Sequence, residues 1–139
     1  MFTPVSMRSA NTYKTVGLET SVAGASPHQL VGLLFDALQQ SLMAAKGAIQ
    51  NGQIPAKGRA ISRAVRILEE GLKAGLDVKR GGELAANLSN LYDYCIFKTT
   101  DANLRNDVTL LDEVIGLIQP VADGWSQIKG EAVVQSYQS

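Results

Sequence analysis

Between Leu30 and Ile49 the apolar and small residues recur every three or four positions, and they do so twice over. Leu30, Leu34, Ala37, Ser41, Ala44 and Ala48 form one stripe, and Val31, Phe35, Leu38, Leu42, Ala45 and Ile49 form a second beside it. Spacings of three and four are the period of an α-helix, whereas a strand alternates at two. Two adjacent stripes are more than one neighbour can cover, so this helix must pack against two others. Its start is written in Ser26 as N-cap, Pro27 at the first helical position and Gln29 three residues past the cap. Asn51 and Gly52 are its stop.

The rest of the chain supplies the partners. Pro55 opens a second segment that turns Ile61, Ala64, Val65, Leu68, Leu72 and Leu76 inward and Lys57, Arg59, Arg63, Arg66 and Lys73 outward. Gly71 and Gly75 each cost about 1 kcal/mol of helix propensity relative to Ala, for which close approach by another backbone is the expected return. Lys79 and Arg80 read as its last turn, where cations suit the helix dipole, with Gly81 and Gly82 ending it. A third helix starts near Glu83. Its Leu88, Leu91 and Cys95 fall three and four apart, with Tyr92 and Ile96 as a second stripe. Tyr92 and Tyr94, rings with a polar tip, suit the border between core and water. Asn103, of a type that tolerates the left-handed conformation, is the expected stop, and Asn106 and Asp107 are N-cap candidates for a fourth helix. That helix runs from about Val108 to Ile128 on Val108, Leu111, Ile115, Ile118, Ala122 and Trp125. Leu110, Val114, Leu117, Val121 and Ile128 lie beside them. Pro120 removes one donor and crowds the carbonyl of Gly116, which predicts a kink.

The predicted architecture is all-α, an antiparallel up-down four-helix bundle with a short N-terminal helical arm. Residues 1–21 form a flexible N-terminal arm, 22–129 the bundle, and 130–139 a mobile C-terminal tail. Tyr13 and Val16, three apart in the arm, make one apolar pair that can dock on the bundle and undock again.

A length of 139 residues calls for one domain. Thirteen basic and thirteen acidic residues balance, which removes the electrostatic case for nucleic acid or an anionic membrane. The row Arg59, Arg63 and Arg66, close to Glu69 and Glu70, reads as a solvated helix face. With one cysteine no internal disulfide forms, and Pro4 and Arg8 interrupt the run that a secretory signal needs. No stretch of eighteen apolar residues spans a membrane. A cytoplasmic protein without membrane insertion is expected.

Catalysis is not expected. A metal pair in a bundle needs Glu-x-x-His repeats, and the one histidine, His28, stands in the first turn of its helix. The same histidine is the only base available to Cys95, which sits on an apolar face. Gly81-Gly82 lacks the lysine of a phosphate loop. Neither cofactor nor metal is called for, and recognition of another protein remains. An open apolar groove would take an amphipathic helix. On helix geometry alone, four-helix packing suffices to consume every stripe.

Beyond these readings, a set of short motifs stands in a distinctive order. Ala25-Ser26-Pro27-His28-Gln29-Leu30, Leu34-Phe35-Asp36, Gly71-Leu72, Gly81-Gly82-Glu83, Leu91-Tyr92-Asp93-Tyr94, Ala102-Asn103 and Leu111-Asp112-Glu113-Val114 follow one another as in the flagellar secretion chaperones of the FliS type. The chain resembles that family from about Tyr13 to Ile128. The resemblance implies a cytosolic export chaperone that binds the disordered C-terminal segment of flagellin, prevents premature polymerisation and delivers it to the flagellar type III secretion apparatus. It also implies that Tyr13 occupies the place of the family's arm tyrosine. On this reading Tyr13 and Val16 cover or extend the groove, and Leu88, Leu91, Tyr92 and Ile96 help form it. The flagellar export gate and a flagellar transcription regulator are further partners to consider, with the free protein a monomer or weak homodimer. The alternative is a helical adaptor or homodimeric bundle that turns the same face on another protein. Ile96, Phe97, Lys98 and Thr99 depart from a segment that in the family carries two basic residues followed by Leu. Phe97 is thereby expected to expose a ring, and Thr99 to bond back to the carbonyl of Cys95.

Overall fold

The capping box at Ser26 closes in both directions in the computed structural model, which describes Gly17 and residues 24–128. The Ser26 hydroxyl accepts from the Gln29 amide at 3.1 Å, and the Gln29 side chain accepts from the Ser26 amide at 2.8 Å. From this start α1 runs over Pro27–Gln50 and stops at Asn51, with Gly52 at φ +67°. Helix α2 covers Ile54–Arg66 and continues without a break into a π-helical stretch, Ile67–Lys73, where the Ala74 amide reaches five residues back to the Glu69 carbonyl at 3.0 Å. Helices α3 (Val78–Arg105) and α4 (Val108–Gln127) follow. Tyr13, Val16 and the expected arm and tail lie outside the described residues.

Each helix packs on the next in sequence, and α1 closes the ring by packing on α4. The ties between helices fix their directions. His28 meets Trp125, Gln39 meets Ile115 and Gln119, and Lys46 meets Asp112, so α1 and α4 are antiparallel. Lys57 meets Asn103 and Asn106 at one end of α2, and Lys73 meets Asp93 at the other, so α2 and α3 are antiparallel too. The bundle is therefore up-down-up-down, the arrangement that short connections favour. Its core holds Leu34, Leu38 and Leu42 of α1, Ile61 and Leu68 of α2, Tyr92 and Cys95 of α3, and Leu111, Val114 and Ile118 of α4.

Four local expectations are corrected. The second helix ends at Lys73, well before Lys79 and Arg80. Asp77 caps a new start by accepting from the Arg80 amide at 3.2 Å, so the two cations stand in a first turn instead of a last one. Gly82, at φ +56° and ψ −134°, then breaks that turn from the long helix beginning at Glu83. The third helix passes Asn103 and ends at Asn106, which takes the left-handed conformation (φ +52°). Lys57 explains the extension, because its ammonium donates to the Asn103 carbonyl at 3.1 Å and to Asn106 Oδ1 at 2.7 Å. Tyr92 is not at a border with water but fully buried, and its hydroxyl has no partner among the described residues. Thr99 is equally buried, and its Oγ1 does not reach the Cys95 carbonyl. Pro120, the site of the expected kink, lies within α4, which stays helical on both sides of it.

Candidate functional site

On α3 the residues that reach water are not those of the two apolar stripes. Leu88, Leu91 and Ile96 are half-buried and pack against the core, and Tyr92 lies beneath them. The most exposed apolar groups are Phe97 (64% exposed) and Leu104 (82%), ahead of Leu84 and Tyr94, with Thr100 between them at helical spacing. Thr100 also lines a concavity of about 350 Å³ between α2 and α3, together with Ile61, Ser62, Val65, Arg66, Glu69 and Glu70. The antiparallel pairing orders this groove. Lys57 beside Asn103 marks the end near Leu104, and Lys73 beside Asp93 marks the end near Glu69. Ile54, 71% exposed, opens α2 at the Leu104 end. Leu104 escaped the sequence reading, although its spacing of three and four with Thr100 and Phe97 marks a stripe of its own.

The basic row along α2 does not stand free. Arg63 donates to the Ser41 hydroxyl at 3.1 Å, and Arg66 approaches Glu70 at 3.8 Å. Glu69 is exposed and has no ion-pair partner among the described residues. Lys73 and Asp93 close the end of the groove with a 2.6 Å salt bridge.

The opposite flank of α3 is polar. The Tyr94 hydroxyl donates to Glu113 of α4, which raises its pKa, and Lys98 lies 5.4 Å from the Tyr94 ring centre and 3.8 Å from Glu113. Cys95 points into the core, where burial pushes its thiol up to about 12, so it is protonated and inert at neutral pH.

At the open end of the ring, His28 Nε2–H donates to the Trp125 carbonyl at 2.7 Å and Trp125 Nε1–H donates to the His28 carbonyl at 2.9 Å. Their rings stack with centroids 4.9 Å apart. The histidine that looked idle in the sequence is thus a tie between the first turn of α1 and the last turn of α4.

Among the described residues no group of His, Cys, Asp or Glu is placed to hold a metal, and no helix is long and apolar enough to cross a membrane. A closed ring of four helices, grooved on one flank by walls part apolar and part charged, is a four-helix module. The module is of a known kind: residues 9–132 match the family model described as flagellar protein FliS, and the chain belongs to that family. It is 47% identical over 123 residues to the flagellar secretion chaperone FliS of Salmonella typhimurium, covering 88% of this chain and 91% of that one. Identity to the flagellar secretion chaperone FliSB of Pseudomonas aeruginosa is 43% over 122 residues, with 88% and 96% covered. With the FliS of Bacillus subtilis it is 30% over 109 residues, with 78% and 80% covered. The family is one of chaperones, not of enzymes.

Proposed function

We propose that this chain is a flagellar export chaperone that binds the disordered C-terminal segment of newly made flagellin in the cytosol, keeps it from polymerising early and hands it to the flagellar type III export apparatus. Membership of the FliS family over nearly the whole chain is the observation that carries this reading. The groove supports it. Apolar side chains at helical spacing on both walls suit a segment that is unstructured when free and folds into an amphipathic helix as it docks. Ordering such a segment costs several kcal/mol of the gross interaction, which keeps the complex releasable.

Within this reading Phe97, Leu104 and Val65 provide the surface, and the buried Ile61 supports it from beneath. Leu88, Leu91 and Ile96, half-buried, border it and yield as the client packs, and Tyr92 supports them from the core. Tyr13 and Val16 cover or extend the groove from the N-terminal arm. The export gate and a flagellar transcription regulator are later or competing partners.

Titration calorimetry of this protein with the C-terminal segment of flagellin from the same organism tests the proposal, with far-ultraviolet circular dichroism on the mixture. Saturable one-to-one binding with a gain in helix is expected. Absence of binding would reject the flagellin client and transfer the surface to the adaptor reading.

A further inference from the structure

The groove between α2 and α3 is not uniform along its length. Ile61, Ser62, Val65 and Thr100 line one end, with the exposed Leu104 and Phe97 flanking Thr100 at helical spacing on α3; beyond Arg66 the walls turn acidic at Glu69 and Glu70. The level of Leu104 is set by Lys57, so the distance from there to Glu69 is about twelve residues of α2, roughly 18 Å at 1.5 Å per residue. That is the length of three helical turns. Two carboxylates face one guanidinium at the acidic end, and Arg66 is directed to Glu70. Glu69 has no ion-pair partner among the described residues. A docking helix that covers it removes water from a carboxylate, which is unfavourable unless the helix brings a cation.

We propose that this groove takes its client helix in one direction only: apolar anchors lie against Leu104, Val65 and Phe97, above the buried Ile61, and a Lys or Arg one turn beyond the last anchor meets Glu69. The inference rests on the chaperone reading above and adds to it a polarity and a charge requirement. A second copy of the chain is the less suitable occupant. Two-fold pairing of the groove would bring Lys57 of one copy toward Glu69 of the other, but that ammonium is already held by Asn103 and Asn106.

The test is calorimetry with the flagellin C-terminal segment on the wild type, Glu69→Lys, Glu69→Gln and Asp36→Lys. Asp36 is exposed on α1, away from the groove, and its reversal changes net charge as Glu69→Lys does. Glu69→Lys is expected to weaken binding roughly tenfold and Glu69→Gln roughly threefold, the scale of an exposed but directed ion pair. Asp36→Lys should leave affinity unchanged. Dichroism melts confirm that each variant folds. Equal effects of Glu69→Lys and Asp36→Lys, or no effect of either on a wild type that binds, overturn the groove assignment and leave the chaperone reading standing. A wild type that does not bind the segment removes both. Sedimentation of the same variants completes the test: loss of self-association in Glu69→Lys with client affinity unchanged makes a second copy the occupant and overturns the proposal.

Discussion

Thr99 and Tyr92 lie seven residues apart on the inward side of α3, each with a buried hydroxyl that has no partner among the described residues. A buried donor left unmatched costs about 1–3 kcal/mol. Thr99→Val keeps the shape and removes the hydroxyl, so it is expected to stabilise the fold by about 1 kcal/mol, seen as a rise of a few degrees in the thermal midpoint. The family pattern puts Leu near this position, which is the apolar choice that the core geometry favours. Cys95, between the two, gives a pH signature. Its folded pKa is raised by burial from 9.0 to about 12, so its contribution to stability is complete below pH 9 and lost as the pH climbs toward 12. Burial raises Tyr92 in the same direction. Denaturant midpoints should therefore be flat from pH 7 to 9 and fall above it, and Cys95→Ala should flatten part of that fall. Asp107 has the opposite sign: the Thr109 hydroxyl and then the Thr109 amide hold its carboxyl below the usual range, so its share of stability is present at neutral pH and lost on acidification.

At the scale of the element, helix ends were decided by hydrogen bonds to neighbouring helices as much as by local residue type. Asn103 and Asn106 are the same residue type three positions apart, and only the second turns left-handed. Local propensity does not separate them. Lys57, from a different helix, donates to the carbonyl of the first and to the side chain of the second, and so places the stop. Asn106→Gly keeps φ +52° freely and loses only the exposed bond from Lys57 to Oδ1, so it is expected to cost about 0.5–1 kcal/mol, whereas Asn106→Val loses the bond and strains the backbone and should cost about 2 kcal/mol in urea titrations. Gly82 was legible as a break, and its positive φ is the reason that only glycine serves. Gly82→Ala is expected to destabilise by about 1–3 kcal/mol through backbone strain alone, since no heavy atom stands within 4 Å of where its Cβ would be. The π-helical stretch Ile67–Lys73 carried no sequence signal. It packs against both α3 and α1, and a single-helix propensity does not include those contacts.

At the scale of the molecule, the ring of four helices is closed where its two ends meet, by His28 and Trp125. Trp125 is the one tryptophan in the chain and is 8% exposed, so its emission reports on this closure. His28→Ala should lower stability by about 1–2 kcal/mol, the loss of a buried hydrogen bond and a ring contact. Trp125 emission should shift to the red in the same variant, while far-ultraviolet dichroism stays helical. A shift without loss of stability would make the pair an ornament of the surface. The groove lies on the far side of α3 from α4, so its client affinity is expected to survive this substitution.

What the sequence determined by itself was the local frame: the period of three and four, the capping box at Ser26, the break at Gly82, the cap at Asp107 and hence four helices with short connections. These follow from bond geometry and hydrogen bonds within one turn, and the motifs that resemble FliS rest on the same residues. Tertiary structure alone decided which side of α3 meets water. Leu91 and Leu104 are both apolar on one helix, and only the placement of α2 and α4 half-buries the first and leaves the second 82% exposed. Burial is a property of the neighbours a side chain acquires, and a chain read in one dimension does not contain them.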